Sequence, residues 1–330
     1  MKPHLVITAA FDPVRVDELR KDFTVHEVEP SIAGESLSTR GIDELLSTAE
    51  VVITELDEVD EETLTKMPAL RAVVSCRANP VNVDIAACTT RNIPVLTTPA
   101  RNAEVTADLA FTLLLMTVRH TSRAERWLRR GNWSSDDVFA PYSLFRGIQL
   151  AGRTLGILGG GAVGRGVLRR ARGFGMDVIV YDPFLPDDAF GDEARIAPLD
   201  EVLSSSDVIS LHVPLMKDTV GLLGVRELSL IRPHAYLINA ARAALIDEGA
   251  LVNAVDNREL AGVGLDVFWQ EPVQSDHRLF ESDLVTMTPH IAGASDDVIK
   301  EHSRIATEGL VECLKGLKPT TVKNPEVYSD

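Results

Sequence analysis

Three residues suited to proton and anion chemistry follow apolar, strand-like runs at separate points of the chain. Arg242 comes after AYLINAA, Glu271 after GLDVFWQ and His290 after LVTMTP. If those runs are strands of one parallel sheet, all three reach its carboxyl edge, where α/β sheets bind ligands. The set suits hydride exchange between a nicotinamide and a 2-hydroxy or 2-oxo acid. A nascent alkoxide needs a proton donor, and histidine titrates nearest neutrality. A carboxylate beside the ring favours the imidazolium. A guanidinium can hold a substrate carboxylate in a fork and polarise the adjacent carbonyl. Taken singly, an Arg or Glu in a post-strand loop is normally a solvated surface group. His290, between Pro289 and Ile291, could equally be a hydrogen-bonded core residue. The weight rests on the three together, downstream of a nucleotide-binding motif.

That motif is RTLGILGGGAVGRGVLRRARGFGMDVIVYD, residues 153–182. Residues 154–158 read as a buried strand and 159–164 as a G-x-G-x-x-G turn. Val163, Val167, Leu168, Ala171 and Phe174 recur at helical spacing, and a second strand ends on Asp182. In this order each part has a physical job. Gly159 permits the tight turn, Gly161 lets a pyrophosphate approach the backbone, and Gly164 lets the helix pack against the strand. The helix N-terminus offers free N–H groups and a partial positive charge. Asp182 lies eighteen residues past Gly164. There it would accept from a ribose 2′-OH and repel a 2′-phosphate, so NAD is expected over NADP. Arg165, just past the last glycine, could soften that preference.

The elements that must position these groups alternate regularly. Residues 4–9, 50–56, 71–76 and 94–97 are short β-branched runs without period-2 polarity, as in parallel strands buried on both faces. Helical spacing at 12–21, 42–48, 61–66 and 83–89 separates them. A long helix follows over 104–131, capped by Asn102. Its first half is apolar on nearly every side, which suits burial between domains or in a dimer interface. Residues 132–152 lack periodicity. Strand and helix signals then alternate to residue 288, and 295–316 read as a final amphipathic helix. The fold class expected is α/β with two doubly wound parallel sheets. A Rossmann domain for NAD would span 104–295. A smaller flavodoxin-like substrate domain, discontinuous over 1–103 and 296–330, would face it across a cleft.

Composition narrows the partners. The chain has 330 residues and a formal net charge of −16. That acidity argues against nucleic acid, which demands a basic face; no block of lysines or arginines compensates, and the Arg126–Arg130 run is short and sits on a helical pattern. Three cysteines form no CxxC pair and fit a reducing cytoplasm. The N-terminus lacks a signal-peptide apolar region, and the longest apolar run, 109–118, is too short to span a bilayer. No metal is expected, since the histidines show neither HxxxH nor HExxH spacing.

Several segments together resemble one family across nearly the whole length: RNAEVTADLAFTLLL, RTLGILGGGAVGRGV, DVISLHVPL, LINAARAALIDEGAL, LAGVGLDVFWQEP and TPHIAGAS. The sequence is similar to the NAD-dependent D-isomer-specific 2-hydroxyacid dehydrogenases, which include phosphoglycerate, D-lactate, formate and hydroxypyruvate-reducing enzymes. The resemblance implies Arg242 as the substrate-orienting arginine, His290 as the acid/base and Glu271 as its carboxylate. It implies cofactor contacts from Gly159, Gly161, Ala162, Val163, Gly164, Asp182, His212, Val213, Pro214, Ala240, Ala241, Asp266 (towards the carboxamide) and Gly293. It further implies a homodimer formed through the 104–131 helix and the segment near Trp133. Substrate carboxylate would be gripped by backbone N–H groups of the 75–81 loop, at Arg77, Ala78 and Asn79. Here the sequence departs from the family, which usually has glycines where Arg77 and Asn79 stand. Their side chains either turn away or bind extra hydroxyls or a phosphate, which would select a polar, hydroxylated or phosphorylated acid. The family also contains NAD(H)-sensing corepressors and formate- or phosphite-type dehydrogenases, the alternatives to a 2-hydroxyacid enzyme. No regulatory extension follows the last helix, so serine feedback is not expected.

Overall fold

Short runs of Val, Ile and Leu, apolar at successive positions, build two wholly parallel sheets. The computed structural model describes residues 2–31 and 35–329. It separates into two units, Met1–Asn102 with Ser295–Asp330, and Ala103–Ala294. In the first, β1 (His4–Ile7), β2 (Thr24–Glu27), β3 (Ala49–Thr54), β4 (Ala72–Ser75) and β5 (Val95–Leu96) lie in the order 2-1-3-4-5. The helices between them are α1 (Pro13–Leu19), α2 (Asp43–Thr48), α3 (Glu61–Lys66) and α4 (Ile85–Thr90). Asp12, Asp60 and Asp84 cap three of these through their side chains.

The second unit begins with α5 (Ala103–Val118), α6 (Thr121–Arg129) and α7 (Ala140–Leu144). Then follow β6 (Thr154–Leu158), α8 (Ala162–Gly173), β7 (Asp177–Tyr181), β8 (Arg195–Ile196), α9 (Leu199–Ser205) and β9 (Val208–Leu211). α10 (Val225–Leu230), β10 (Tyr236–Asn239), α11 (Glu248–Asp256), β11 (Gly262–Leu265) and β12 (Val285–Met287) complete it. The sheet order is β12-β11-β10-β9-β6-β7-β8, the doubly wound dinucleotide-binding arrangement with one further strand. The chain then returns to the first unit as α12 (Asp296–Leu314).

Successive residues of a strand point to opposite faces, so a strand covered on both sides must be apolar throughout. Leu5 and Ile7 pack with Val51, Ile53 and Val74 under Ala306 and Leu310 of α12, whereas Val6, Val52 and Val73 pack on the other face with Leu46 and Leu64. The seven-stranded sheet likewise carries one apolar cluster on each face.

The 104–131 helix is not continuous. His120 takes a left-handed conformation (φ 53) between α5 and α6, and the Val118 carbonyl accepts from Ile148 N–H instead of continuing the helix. The all-round apolar character of α5 is used within its own unit, where Phe111, Leu113 and Leu114 pack with Val167, Leu168 and Ile238. β2 and β8 escape sequence reading because both are edge strands. One is the largely polar TVHE, and the other has only two residues.

Candidate active site

The glycine turn leaves β6 and enters α8. Gly159 has φ +97, and a Cβ there would lie 2.7 Å from the His212 backbone. A Cβ on Gly164 would lie 2.1 Å from the Gly159 carbonyl oxygen, so helix and turn can approach only without one. Around Gly161 there is open space, and this residue caps α8 with no side-chain hydrogen bond. The first N–H groups of α8, at Ala162 and Val163, therefore face an uncapped anion-binding terminus. Beside it lies a cavity of about 480 Å³, lined by Gly159, Gly161, Asp182, His212, Val213 and Pro214 among others. The residues present fit a dinucleotide.

Asp182 is tied into this turn. Its Oδ2 accepts from Gly160 N–H at 2.9 Å and its Oδ1 from Phe184 N–H at 3.0 Å. The carboxylate shapes the glycine turn while it faces the cavity. Arg165 is held aside, its guanidinium 4.4 Å from the centre of the Phe190 ring and its Nη1 donating to Ala189 O. His212 is half-buried. Its Nε2 pairs with Ser210 Oγ at 2.9 Å, and its Nδ1 has no partner among the described residues. Burial pushes this imidazole down to about 4, so it stays neutral.

Arg242, Glu271 and His290 follow β10, β11 and β12, three neighbouring strands. His290 Nδ1 and Glu271 Oε2 are 2.6 Å apart. Glu271 Oε1 accepts from Phe268 N–H at 3.0 Å, so one oxygen is fixed by backbone and the other by the ring. Burial works to raise the Glu271 carboxyl, but the bonds from His290 and Phe268 and the positive charges of His290 and Arg242 outweigh it. The net shift is downward, and the carboxylate stays charged. With Nδ1 donating to a carboxylate, Nε2 is left to face a reactant. The two side chains are 42% and 38% exposed, and pairs so exposed add at most about 1 kcal/mol to stability.

The backbone at His290 is itself constrained, with φ 52. Non-glycine residues in that region cost of the order of 1–3 kcal/mol and persist where their surroundings hold them. Asp266 supplies the hold. It is fully buried, its Oδ1 accepts from Thr288 Oγ1 at 2.6 Å and Ile291 N–H at 3.0 Å, and its Oδ2 accepts from Ala292 N–H at 2.9 Å. These bonds go to the 288–292 loop; Gly293 follows it and is exposed. Asn239 performs the same task for Arg242. It accepts from Ala241 N–H and donates to the Arg242 carbonyl, folding Ala240–Arg242 into a tight turn. Sequence reading passed over Asn239 and Thr288. The available signal was a polar side chain closing, or just beyond, an otherwise apolar strand.

Arg77, Ala78 and Asn79 follow β4 in the other unit. The Arg77 carbonyl accepts from Thr98 N–H, Ala78 and Asn79 are exposed, and Arg77 is half-buried. Asn82 secures the loop from beneath, accepting from Ser75 Oγ and donating to the Asp57 carbonyl. Cys76 is buried, and burial pushes its thiol far above its ordinary range, so it is inert. No metal-ligating cluster occurs among the described residues.

A doubly wound sheet with an uncapped glycine turn and a poised imidazole–carboxylate pair at one edge defines a dinucleotide-dependent oxidoreductase. A family model described as D-isomer specific 2-hydroxyacid dehydrogenase, NAD binding domain, matches residues 111–292. A glyoxylate reductase of Pyrococcus furiosus is 35% identical over 333 residues, covering 99% of this chain and 97% of that protein. The D-lactate dehydrogenase of Aquifex aeolicus, solved with NAD and lactic acid, is 29% identical with a TM-score of 0.70, over 95% of this chain and 96% of that one. An NADPH-dependent glyoxylate/hydroxypyruvate reductase of Sinorhizobium meliloti, solved with citrate, is 27% identical with a TM-score of 0.78, over 98% of both chains. The chain belongs to the D-isomer specific 2-hydroxyacid dehydrogenases, NAD-linked oxidoreductases of 2-hydroxy and 2-oxo acids.

Proposed function

We propose that this enzyme reduces a small 2-oxo acid with NADH, using His290 as proton donor, Glu271 as the group that orients it, and Arg242 as the substrate anchor. The observation that carries this is the 2.6 Å contact between His290 Nδ1 and Glu271 Oε2, which commits Nε2 to the reactant. Arg242 holds the carboxylate and polarises the carbonyl, and the backbone N–H groups of Arg77–Asn79 are substrate-binding groups of the other unit. When bound, the dinucleotide supplies the hydride to the carbonyl carbon; His290 Nε2 delivers the proton to the carbonyl oxygen. Gly161–Val163 would hold the pyrophosphate and Asp182 the adenosine ribose. Backbone around His212–Pro214 and Ala240–Ala241, with Gly293, would line the remainder. Asp266 acts chiefly by setting the His290 loop. Glyoxylate, named for the Pyrococcus furiosus relative, is the reference substrate.

The same reading makes the protein a cytoplasmic homodimer. Cys76, Cys88 and Cys313 are all free thiols. No helix among the described residues is long and apolar enough to cross a membrane. The segment after α6 exposes Trp133, Phe139 and Tyr142, apolar area that a partner subunit would cover.

NADH oxidation followed over a panel of 2-oxo acids tests the proposal, and no oxidation with any member overturns it. Glu271→Gln should lower kcat about tenfold to a hundredfold. Turnover equal to wild type would remove Glu271 from its role.

A further inference from the structure

The five-stranded unit carries a cluster that neither the acid/base pair nor the glycine turn uses. Its 2-1-3-4-5 order puts the topological switch point between β1 and β3, where sheets of this type bind ligands beyond their strand ends. Ala10 lies just after β1, Glu55 directly after β3, and Arg101 in the loop after β5. Arg101 Nη1 donates to Glu55 Oε1 at 2.6 Å and to His302 Nδ1, from α12, at 2.9 Å. His302 Nε2 donates to the Ala10 carbonyl at 2.7 Å, so the ring is neutral, and burial favours the same state. Ala100, immediately before Arg101, has φ 58, a left-handed backbone that alanine rarely adopts.

Nη1 is thus consumed by two fixed acceptors. Nε and Nη2, the side-on edge of the guanidinium, have no acceptor among the described residues, and the side chain keeps 21% of its surface accessible. An arginine that only tied His302 to Glu55 would need one nitrogen. The remaining edge matches two oxygens of a carboxylate or phosphate. Glu55 offsets one positive charge, while Arg77, after the neighbouring strand β4, has no side-chain partner among the described residues. The balance at this edge favours an anion.

We infer that Arg101 is a specificity residue that binds a second anionic group, carboxylate or phosphate, on the 2-oxo acid. The inference rests on the proposed reduction of 2-oxo acids. It is tested by comparing kcat/KM for 2-oxobutanedioate and 3-phosphonooxy-2-oxopropanoate with that for the uncharged 2-oxopentanoate, glyoxylate serving as reference. Wild type should favour at least one dianion about tenfold, the usual worth of one charged hydrogen-bonded pair; the better of the two identifies the anion. Arg101→Met should abolish the preference. Glu55→Gln, which removes a competing charge, should enlarge it, a direction that a purely structural ion pair does not produce. Equal use of dianion and neutral acid by wild type overturns the inference, as does a preference that survives Arg101→Met. If Arg101→Met fails to fold, a preference that falls or stays level in Glu55→Gln overturns it instead. Thermal protection by 2-hydroxybutanedioate over 2-hydroxypentanoate, present in wild type and lost in the variant, scores Arg101 even if no acid is reduced. Absence of turnover with glyoxylate and all the others strikes the proposed function alone.

Discussion

The two sheets end in differently built carboxyl edges. On the seven-stranded sheet, the cofactor side is made of backbone: glycines, uncapped N–H groups, and one carboxylate that itself serves the turn. On the five-stranded sheet, the edge is made of charged side chains, Glu55, Arg101 and Arg77, with a neutral histidine behind them. Backbone presents the same donors whatever the residue, provided nothing blocks it. Side chains can differ from one protein to the next. On the proposed reading, cofactor binding belongs to the first edge and discrimination between acids to the second. A second contrast lies within the seven-stranded edge. His212 and His290 both follow strands, yet one is half-buried, neutral and pushed down to about 4, while the other is more exposed and paired with a carboxylate.

The largest expected effect breaks the pairing of the two histidines. His290→Ala should cut kcat by about 10²–10⁴, the worth of a positioned acid, with far less change in NADH affinity. Unchanged turnover in single-turnover kinetics would remove it from the reaction. A smaller effect sharpens the account of the backbone edge. Gly164→Ala should destabilise the protein by about 1–3 kcal/mol through the clash with the Gly159 carbonyl. Gly161→Ala has open space around it, so stability should change by no more than about 0.5 kcal/mol while NADH binding weakens. Equal melting temperatures for the two variants would show that the turn is not limited by close approach.

The smallest effect concerns His212. Because burial holds its pKa below the value of about 6.5 for a free histidine, the unfolded chain binds more protons between those two values. Stability should therefore fall as pH drops from about 6.5 towards about 4, and His212→Asn should flatten that slope. Parallel slopes in melting temperature against pH would show that His212 contributes nothing to it.

Much of the fold was legible because parallel strands covered on both faces must be apolar at every position. This is why Leu5–Ile7, Val51–Ile53 and Val178–Val180 stand out. Edge strands lack that requirement, and β2 and β8 were invisible for the same reason. The helix break at His120 depends on a carbonyl captured by Ile148, thirty positions beyond Val118, which no local pattern records. At the site, the residue types and their place after strands point to Arg242, Glu271 and His290, which follow three neighbouring strands, with His290 against Glu271. What the sequence could not show was how they are held. Asp266 pins a loop through three bonds and Asn239 folds a turn, and both depend on contacts that exist only once neighbouring strands are in register. Arg101 was passed over for the same reason, since its partners lie 46 and 201 positions away.

The return of α12 has a consequence for synthesis. The seven-stranded unit is one uninterrupted segment, Ala103–Ala294, whereas the five-stranded sheet lacks Ala306 and Leu310 on one face until α12 emerges. Its β5 also waits for Asn324, whose side chain accepts from Val95 N–H and donates to the Ile93 carbonyl. Domains ordinarily fold from the N-terminus as they leave the ribosome. Here the segment carrying β1 to β5 emerges before the seven-stranded unit but is sealed after it, so the later segment can close first.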